Sequence, residues 1–265
     1  MVKIGKVIFG CVFLCAMQAR ASSIYVTGNG GQSLFVINSS NGASTYVGDF
    51  GPTVLADAFS PNGTLYGMIA GSSGAQLATV NTLTGAATPI APATGVSGLY
   101  AMAFTPGGTL YAASFSTNDL YTVNLSTGAA TVVGSLGFTG VMDLAWDSFN
   151  GKMYAIESFC SGSGLYSVDL TTGSGTHVTT TPGDDCLMSL TIDSANRFLA
   201  TDHLNDSPLF QINTTTGALT NLGNTGINGS MGADIAPIPE PLTVLTLGSG
   251  LVLASLRKKL AKERR

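Results

Sequence analysis

"LYTVNLSTGAATVVGSL" occupies residues 120–136, and four near copies of it occur along the chain. Leu120, Tyr121, Thr122, Val123 and Asn124 alternate apolar with polar, as a half-buried strand does. A polar turn ending in Thr127-Gly128 follows, then a second strand-like run through Thr131, Val132 and Val133. The phrase therefore reads as a β-hairpin. Its copies are "LFVINSSNGASTYVGDF" from Leu34, "LATVNTLTGAATPIAPA" from Leu77, "LYSVDLTTGSGTHVTTT" from Leu165 and "LFQINTTTGALTNLGNT" from Leu209. The starting points are separated by 43, 43, 45 and 44 residues.

A second unit lies upstream of four copies. It reads "LADAFSPNGTLYGMIA" at Leu55, "YAMAFTPGGTLYAASF" at Tyr100, "MDLAWDSFNGKMYAIE" at Met142 and "MSLTIDSANRFLATDH" at Met188. This is another hairpin, so each repeat holds four antiparallel strands, the strand content and length of a propeller blade. The array begins with "SIYVTG" at residues 23–28, equivalent to the second strand of a blade, and ends with "MGADIAP" at residues 231–237, equivalent to a first strand. Three strands from one end and one from the other complete a fifth blade. The expected fold is all-β, a five-bladed β-propeller closed by this 3+1 arrangement. Its small and apolar innermost strands would surround a central channel.

Composition narrows the partners. Residues 22–236 contain two basic residues, Lys152 and Arg197, against twelve Asp and one Glu, a net charge of −11. Nucleic-acid binding needs clustered Lys and Arg to displace counterions, and this segment has no such cluster. Nucleic acid is excluded as a partner. With 45% hydrophobic residues in short regular runs, the segment is a folded domain rather than a disordered one.

The two ends differ from the middle. Residues 1–21 read as a signal peptide: Lys3 and Lys6, then the apolar "VIFGCVFLCAM", then Ala19-Arg20-Ala21 as a cleavage site. Export would remove Cys11 and Cys15 and leave Cys160 and Cys186, which in an oxidising compartment read as a disulfide candidate. Residues 237–265 form a third unit. Pro237, Pro239 and Pro241 favour an extended linker, residues 242–256 carry no charge, and "RKKLAKERR" ends the chain. Fifteen helical residues span about 22 Å, short for a hydrocarbon core of about 30 Å. Arg257 and Lys258 could snorkel at its end.

Two resemblances follow from these motifs. The blade phrase Y-x-[VI]-[ND]-x-x-T-G, seen over residues 23–236, is similar to that of secreted bacterial propellers of the YVTN and WD40-like kind. It implies the fold and little about function. The tail closely resembles the PEP-CTERM sorting segment of exosortase substrates. Pro239, Glu240 and Pro241 match its tripeptide, residues 242–256 its apolar helix, and Arg257, Lys258 and Lys259 the start of its basic end. The tail departs from the family in being Lys-rich and interrupted by Leu260, Ala261 and Glu263. This resemblance implies recognition by an exosortase-type membrane protease, transient or stable membrane attachment through the helix, delivery to the cell surface or matrix, and a link to exopolysaccharide and biofilm.

For a site, the propeller map places Asp119, Asp184, Asp185 and Asp206 in loops of one face, with Asp143 and Glu157 at strand ends on the same side. Such a face could hold Ca²⁺, which takes oxygen ligands, or sugar hydroxyls. Equally, short polar loops carry Asp and Asn for turn chemistry, and no dense D-x-D-x-D spacing is present. Catalysis is not expected. Glycosidases need two carboxylates, and Glu157 is the single Glu of the domain with no matching motif around it. Trp146 aligns with Phe59 and Phe104 and is expected in the core. The functional expectation is an exported, non-enzymatic binding or structural propeller. The alternative is a lectin or glycosidase acting on extracellular polysaccharide.

Overall fold

The computed structural model describes residues 22–158, 160–183, 186–204 and 206–237. The signal-peptide and sorting-segment readings, including Pro239, Glu240, Pro241, Arg257, Lys258 and Lys259, lie outside these residues, as do Asp184 and Asp185. The described residues contain strands and turns and no helix, so none of them forms a membrane-spanning helix.

The chain starts with β1 (Ser23–Gly28), β2 (Ser33–Asn38) and β3 (Ser44–Asp49). The next blade holds β4 (Val54–Phe59), β5 (Leu65–Ile69), β6 (Gln76–Val80) and β7 (Ala87–Ala93). It is followed by β8 (Leu99–Phe104), β9 (Leu110–Ser114), β10 (Asp119–Val123) and β11 (Ala130–Ser135). A fourth blade contains β12 (Val141–Asp147), β13 (Lys152–Ser158), β14 (Ser163–Val168) and β15 (Gly175–Thr180). The fifth contains β16 (Thr191–Ile192), β17 (Phe198–Thr201), β18 (Pro208–Ile212) and β19 (Leu219–Asn224), and β20 (Ala233–Ile235) comes last. These strands make five four-stranded antiparallel sheets, the blades of a propeller. One sheet has the order β20-β1-β2-β3, with Ile24 opposite Ile235 and Val26 opposite Ala233.

The core is not a single block. It forms five clusters, each built from two neighbouring blades, because every blade is apolar on both faces near the centre. Ala56, Met68 and Leu77 of one blade pack with Leu99, Met102 and Phe104 of the next. Leu34 and Phe50 pack with Val54, Phe59 and Leu65 in the same way, and Ile24 and Ile37 pack with Leu199 and Leu209. Exposure rises outward: every residue of β4 is buried, whereas Val132 in β11 is exposed.

The repeated turn explains the repeated phrase. Asn124 Oδ1 accepts hydrogen bonds from the N–H groups of Ser126 (2.9 Å) and Thr127 (3.0 Å), and its carbonyl accepts from Gly128 N–H (2.8 Å). Asn81, Asp169 and Asn213 make the same bonds in their blades. These are Asx-type turns, in which the side chain replaces a backbone acceptor. The closing glycine has a further reason. At Gly173, φ is +80°, and a Cβ would lie 2.6 Å from the carbonyl carbon of Gly134 in the preceding blade. The turn of one blade thus rests on the bulged outer strand of its neighbour, at a distance that only glycine permits.

Candidate ligand pocket at the channel mouth

The inner strands β4, β8, β12, β16 and β20 succeed one another around the centre. Aligning them by repeat position puts Phe59, Phe104, Trp146, Ile192 and Ile235 at one level, one from each blade. All five line a cavity of about 350 Å³ that opens at the end of the channel. Its rim is made by the first-hairpin turns, through Pro61, Pro106, Ser148 and Ser194, and by the chain at Ser22, Ala236 and Pro237. The volume lies within the usual range for small-molecule sites, as does an apolar wall with few polar groups.

The aromatic rings are held from behind. Phe59 meets Tyr25 of the preceding blade edge-on at 5.0 Å between centroids, and Phe104 meets Tyr66 at 5.3 Å. Trp146 is half-buried and packs against the cluster containing Leu144 and Met153. The expectation that it belongs wholly to the core is corrected: one side packs inward and the residue also lines the cavity. Position within a blade could not show this, because the same position is core-facing and mouth-facing at once.

Asp234 forms part of the cavity wall. Its Oδ2 accepts from Phe59 N–H (2.7 Å) in the next blade and its Oδ1 from Ile235 N–H (2.7 Å). Burial pushes its carboxyl up to about 6, against the opposing effect of those N–H donors. Deeper in the channel wall lie Asp57 and Asp143, both fully buried. Asp143, expected at a strand end, is the third residue of β12, and its side chain is buried in the channel wall. Its Oδ1 accepts from Leu144 N–H (2.9 Å), and its Oδ2 from Leu190 N–H (2.8 Å) and Ala233 N–H (3.2 Å). One carboxylate therefore joins three blades. The other copies carry Ala56, Ala101, Ser189 and Gly232 at this position, which leaves central room for a single larger polar group. The innermost strands are thus not uniformly small and apolar.

The remaining acids among the described residues do not form one constellation. Asp119 opens β10 and Asp206 occupies a turn at φ +64°, where its carbonyl accepts from Gly226 N–H (3.0 Å). Glu157 lies in β13 opposite Gly164, near Tyr166, whose ring stacks on Phe138 at 3.9 Å and meets His177 edge-on at 5.3 Å. Burial raises the Glu157 carboxyl, opposed by the Gly164 N–H and by His177. Its ionisable neighbour is thus the His177 imidazole, not a second carboxylate. Among the described residues, no three His, Cys, Asp or Glu side chains converge as a metal-ligand set. Cys160 and Cys186 form a disulfide with Cα atoms 4.1 Å apart, tying the β13–β14 loop to the segment that leads into β16.

Asp57, Asp234 and the mouth ring were missed by motif reading. A signal did exist: "LADAF", "MDLAW" and "MGADIAP" carry acids where "YAMAF" has only apolar residues.

Comparison with known proteins agrees with this architecture. A family model described as a repeat of unknown function (DUF6923) matches residues 13–180. No curated protein matches in sequence. Among solved structures, a chain of a nidogen/laminin complex superposes with a TM-score of 0.58 at 9% identity, over 81% of this chain and 98% of that one. A structural-genomics protein of unknown function from Bacteroides thetaiotaomicron gives 0.52 at 14% identity, over 74% and 56%. At such identities the likeness concerns the fold alone.

Proposed function

The chain belongs to the DUF6923 family of repeats of unknown function, and from that premise we propose that it is an exported, non-enzymatic propeller that binds extracellular polysaccharide at its channel mouth. The supporting observation is the cavity of about 350 Å³ ringed by Phe59, Phe104, Trp146, Ile192 and Ile235. Sugar rings present apolar C–H faces that stack on aromatic side chains, and hydroxyls that a rim of serine and carboxylate groups can meet. Both carboxylates of this mouth are engaged within the protein: Asp234 accepts from the N–H groups of Phe59 and Ile235, and Asp193 pairs with Arg197 at 2.6 Å.

Trp146 is the sole tryptophan of the chain, so its fluorescence reports directly on the cavity. Titration with a panel of soluble oligosaccharides is expected to shift and quench its emission. Changing Phe104, which also packs in the core, to Leu is expected to weaken binding through loss of one aromatic face while a cooperative melt is retained. No spectral response to any glycan, with a cooperative melt retained, would refute the polysaccharide reading. The glycosidase alternative rests on the raised carboxyl of Glu157. It requires polysaccharide turnover that disappears in Glu157→Gln.

The tail reading belongs to the same proposal. Ser22 and Pro237 both stand at the rim of the mouth, so the two ends of the described domain lie at the same side. An attached tail would hold the mouth toward the membrane, and exosortase-type processing near Pro239, Glu240 and Pro241 would free it. Intact mass of the protein from its own host, in membrane and extracellular fractions, is expected to lack residues 1–21 and everything beyond roughly Pro241. A membrane-bound species still ending at Arg265 would replace sorting by simple anchoring.

A further inference from the structure

The channel wall contains two adjacent side chains whose polar atoms nothing satisfies. Thr27 in β1 and Asp57 in β4 are both 0% exposed, and Thr27 Oγ1 and both Asp57 carboxylate oxygens lack a hydrogen-bond partner among the described residues. The Thr27 hydroxyl faces the Asp57 carboxylate outside bonding geometry. Gly232 backs the pair: a Cβ there would lie 2.7 Å from Asp57 Oδ1, so the bare glycine makes room for the carboxylate.

An unpartnered buried charge costs several kcal/mol, so something must neutralise it. Neither basic residue among the described residues is a countercharge for it. Lys152 is exposed at the start of β13, and Arg197 is committed to Asp193 at 2.6 Å. The other acids nearby add repulsion, since Asp234 and Asp143 both interact with Asp57, and each already receives backbone N–H donors. A proton on Asp57 could be donated to the neighbouring Thr27 Oγ1, but the other carboxyl oxygen would still lack a donor. A positive ion satisfies all three oxygens together.

We propose that a hard metal cation binds between β1 and β4, held by the Asp57 carboxylate and the Thr27 hydroxyl. The donors are all oxygen, which suits Ca²⁺ or Na⁺ rather than metals that prefer nitrogen or sulfur. With one carboxylate in direct contact, the site is not a carboxylate cage but a mixed one. It would link the sheet that contains both chain ends to the blade that follows it.

The full-length protein, purified without chelator, would be analysed for bound metal by mass spectrometry. It would then be stripped with EDTA, dialysed into a choline buffer, and melted at neutral pH with CaCl₂, MgCl₂ or NaCl added separately. CaCl₂ or NaCl is expected to raise Tm by about 5–10 °C at a hundredfold excess over Kd. That rise should vanish in Asp57→Asn and in Thr27→Val while both still melt cooperatively. If Asp57→Asn fails to fold, the wild-type response and Thr27→Val decide. The proposal is overturned if no cation shifts the wild-type Tm, or if the rise survives in the variants. An Asp57→Asn protein that melts at or above the wild type in every salt would mean that Asp57 carries a proton instead.

Discussion

Replacing Asp143 by alanine is expected to lower the melting temperature by about 10 °C or more, the largest effect of any single side chain in the central channel. The carboxylate accepts three backbone N–H groups, of which Leu190 and Ala233 belong to two other blades. Alanine leaves those donors buried and unpaired, each costing about 1–3 kcal/mol, and opens a void between strands that cannot collapse independently. Asparagine keeps one acceptor and should recover part of the loss. Thermal unfolding of Asp143→Ala and Asp143→Asn beside the wild type measures both. A fall of under about 2 °C in Asp143→Ala would show that the three-blade junction contributes little.

The second large effect concerns pH. In metal-free buffer the protein is expected to melt higher at mildly acidic than at neutral pH, by about 5–10 °C. Burial raises the carboxyls of Asp57 and Asp143 well above the ordinary range, and that of Asp234 to about 6. The folded state therefore keeps protons that the unfolded chain releases near its ordinary value of 3.8. Stability from this source is complete below 3.8 and is lost as pH rises through the folded value, for Asp234 between 3.8 and about 6. Two exposed acids act in the opposite sense. Asp49 is held low by Ser33 and Tyr46, and Asp169 by the N–H groups of Thr172 and Thr171, so acid below about 4 removes what they contribute. A Tm maximum between these limits is expected in a pH series with chelator present. A Tm that climbs steadily from pH 4 to 8 would contradict it.

Together these effects assign different work to different parts of one ring. The outer turns and bulges set the spacing of the blades, and the aromatic level shapes the mouth. The acids, with buried hydroxyls such as those of Ser189 and Thr201, form a polar seam through the centre. Asp143 and Asp234 tie blades by accepting N–H groups from their neighbours, and Asp57 stands without such donors. Binding at the mouth and ion occupancy in the wall are thus separable. Trp146 reports the first and Tm in defined salts the second.

The sequence by itself determined the blade. Five copies of a phrase such as "LYTVNLSTGAATVVGSL" specify hairpin, turn and repeat length, because strand alternation and Asx turns depend on residues close together in the chain. It also determined the number of blades, since the copies can be counted. What the tertiary structure alone decided is the centre. Asp143 lies 47 residues from Leu190 and 90 from Ala233, yet the ring brings their N–H groups to one carboxylate. The bulge between Val141 and Asp143 changes which way that residue faces, and no local pattern encodes it. The same holds for Thr27 and Asp57, and for the five residues of the mouth. Each is ordinary within its own blade and acquires a role only where different blades meet, because that meeting depends on packing between repeats rather than on the sequence within one.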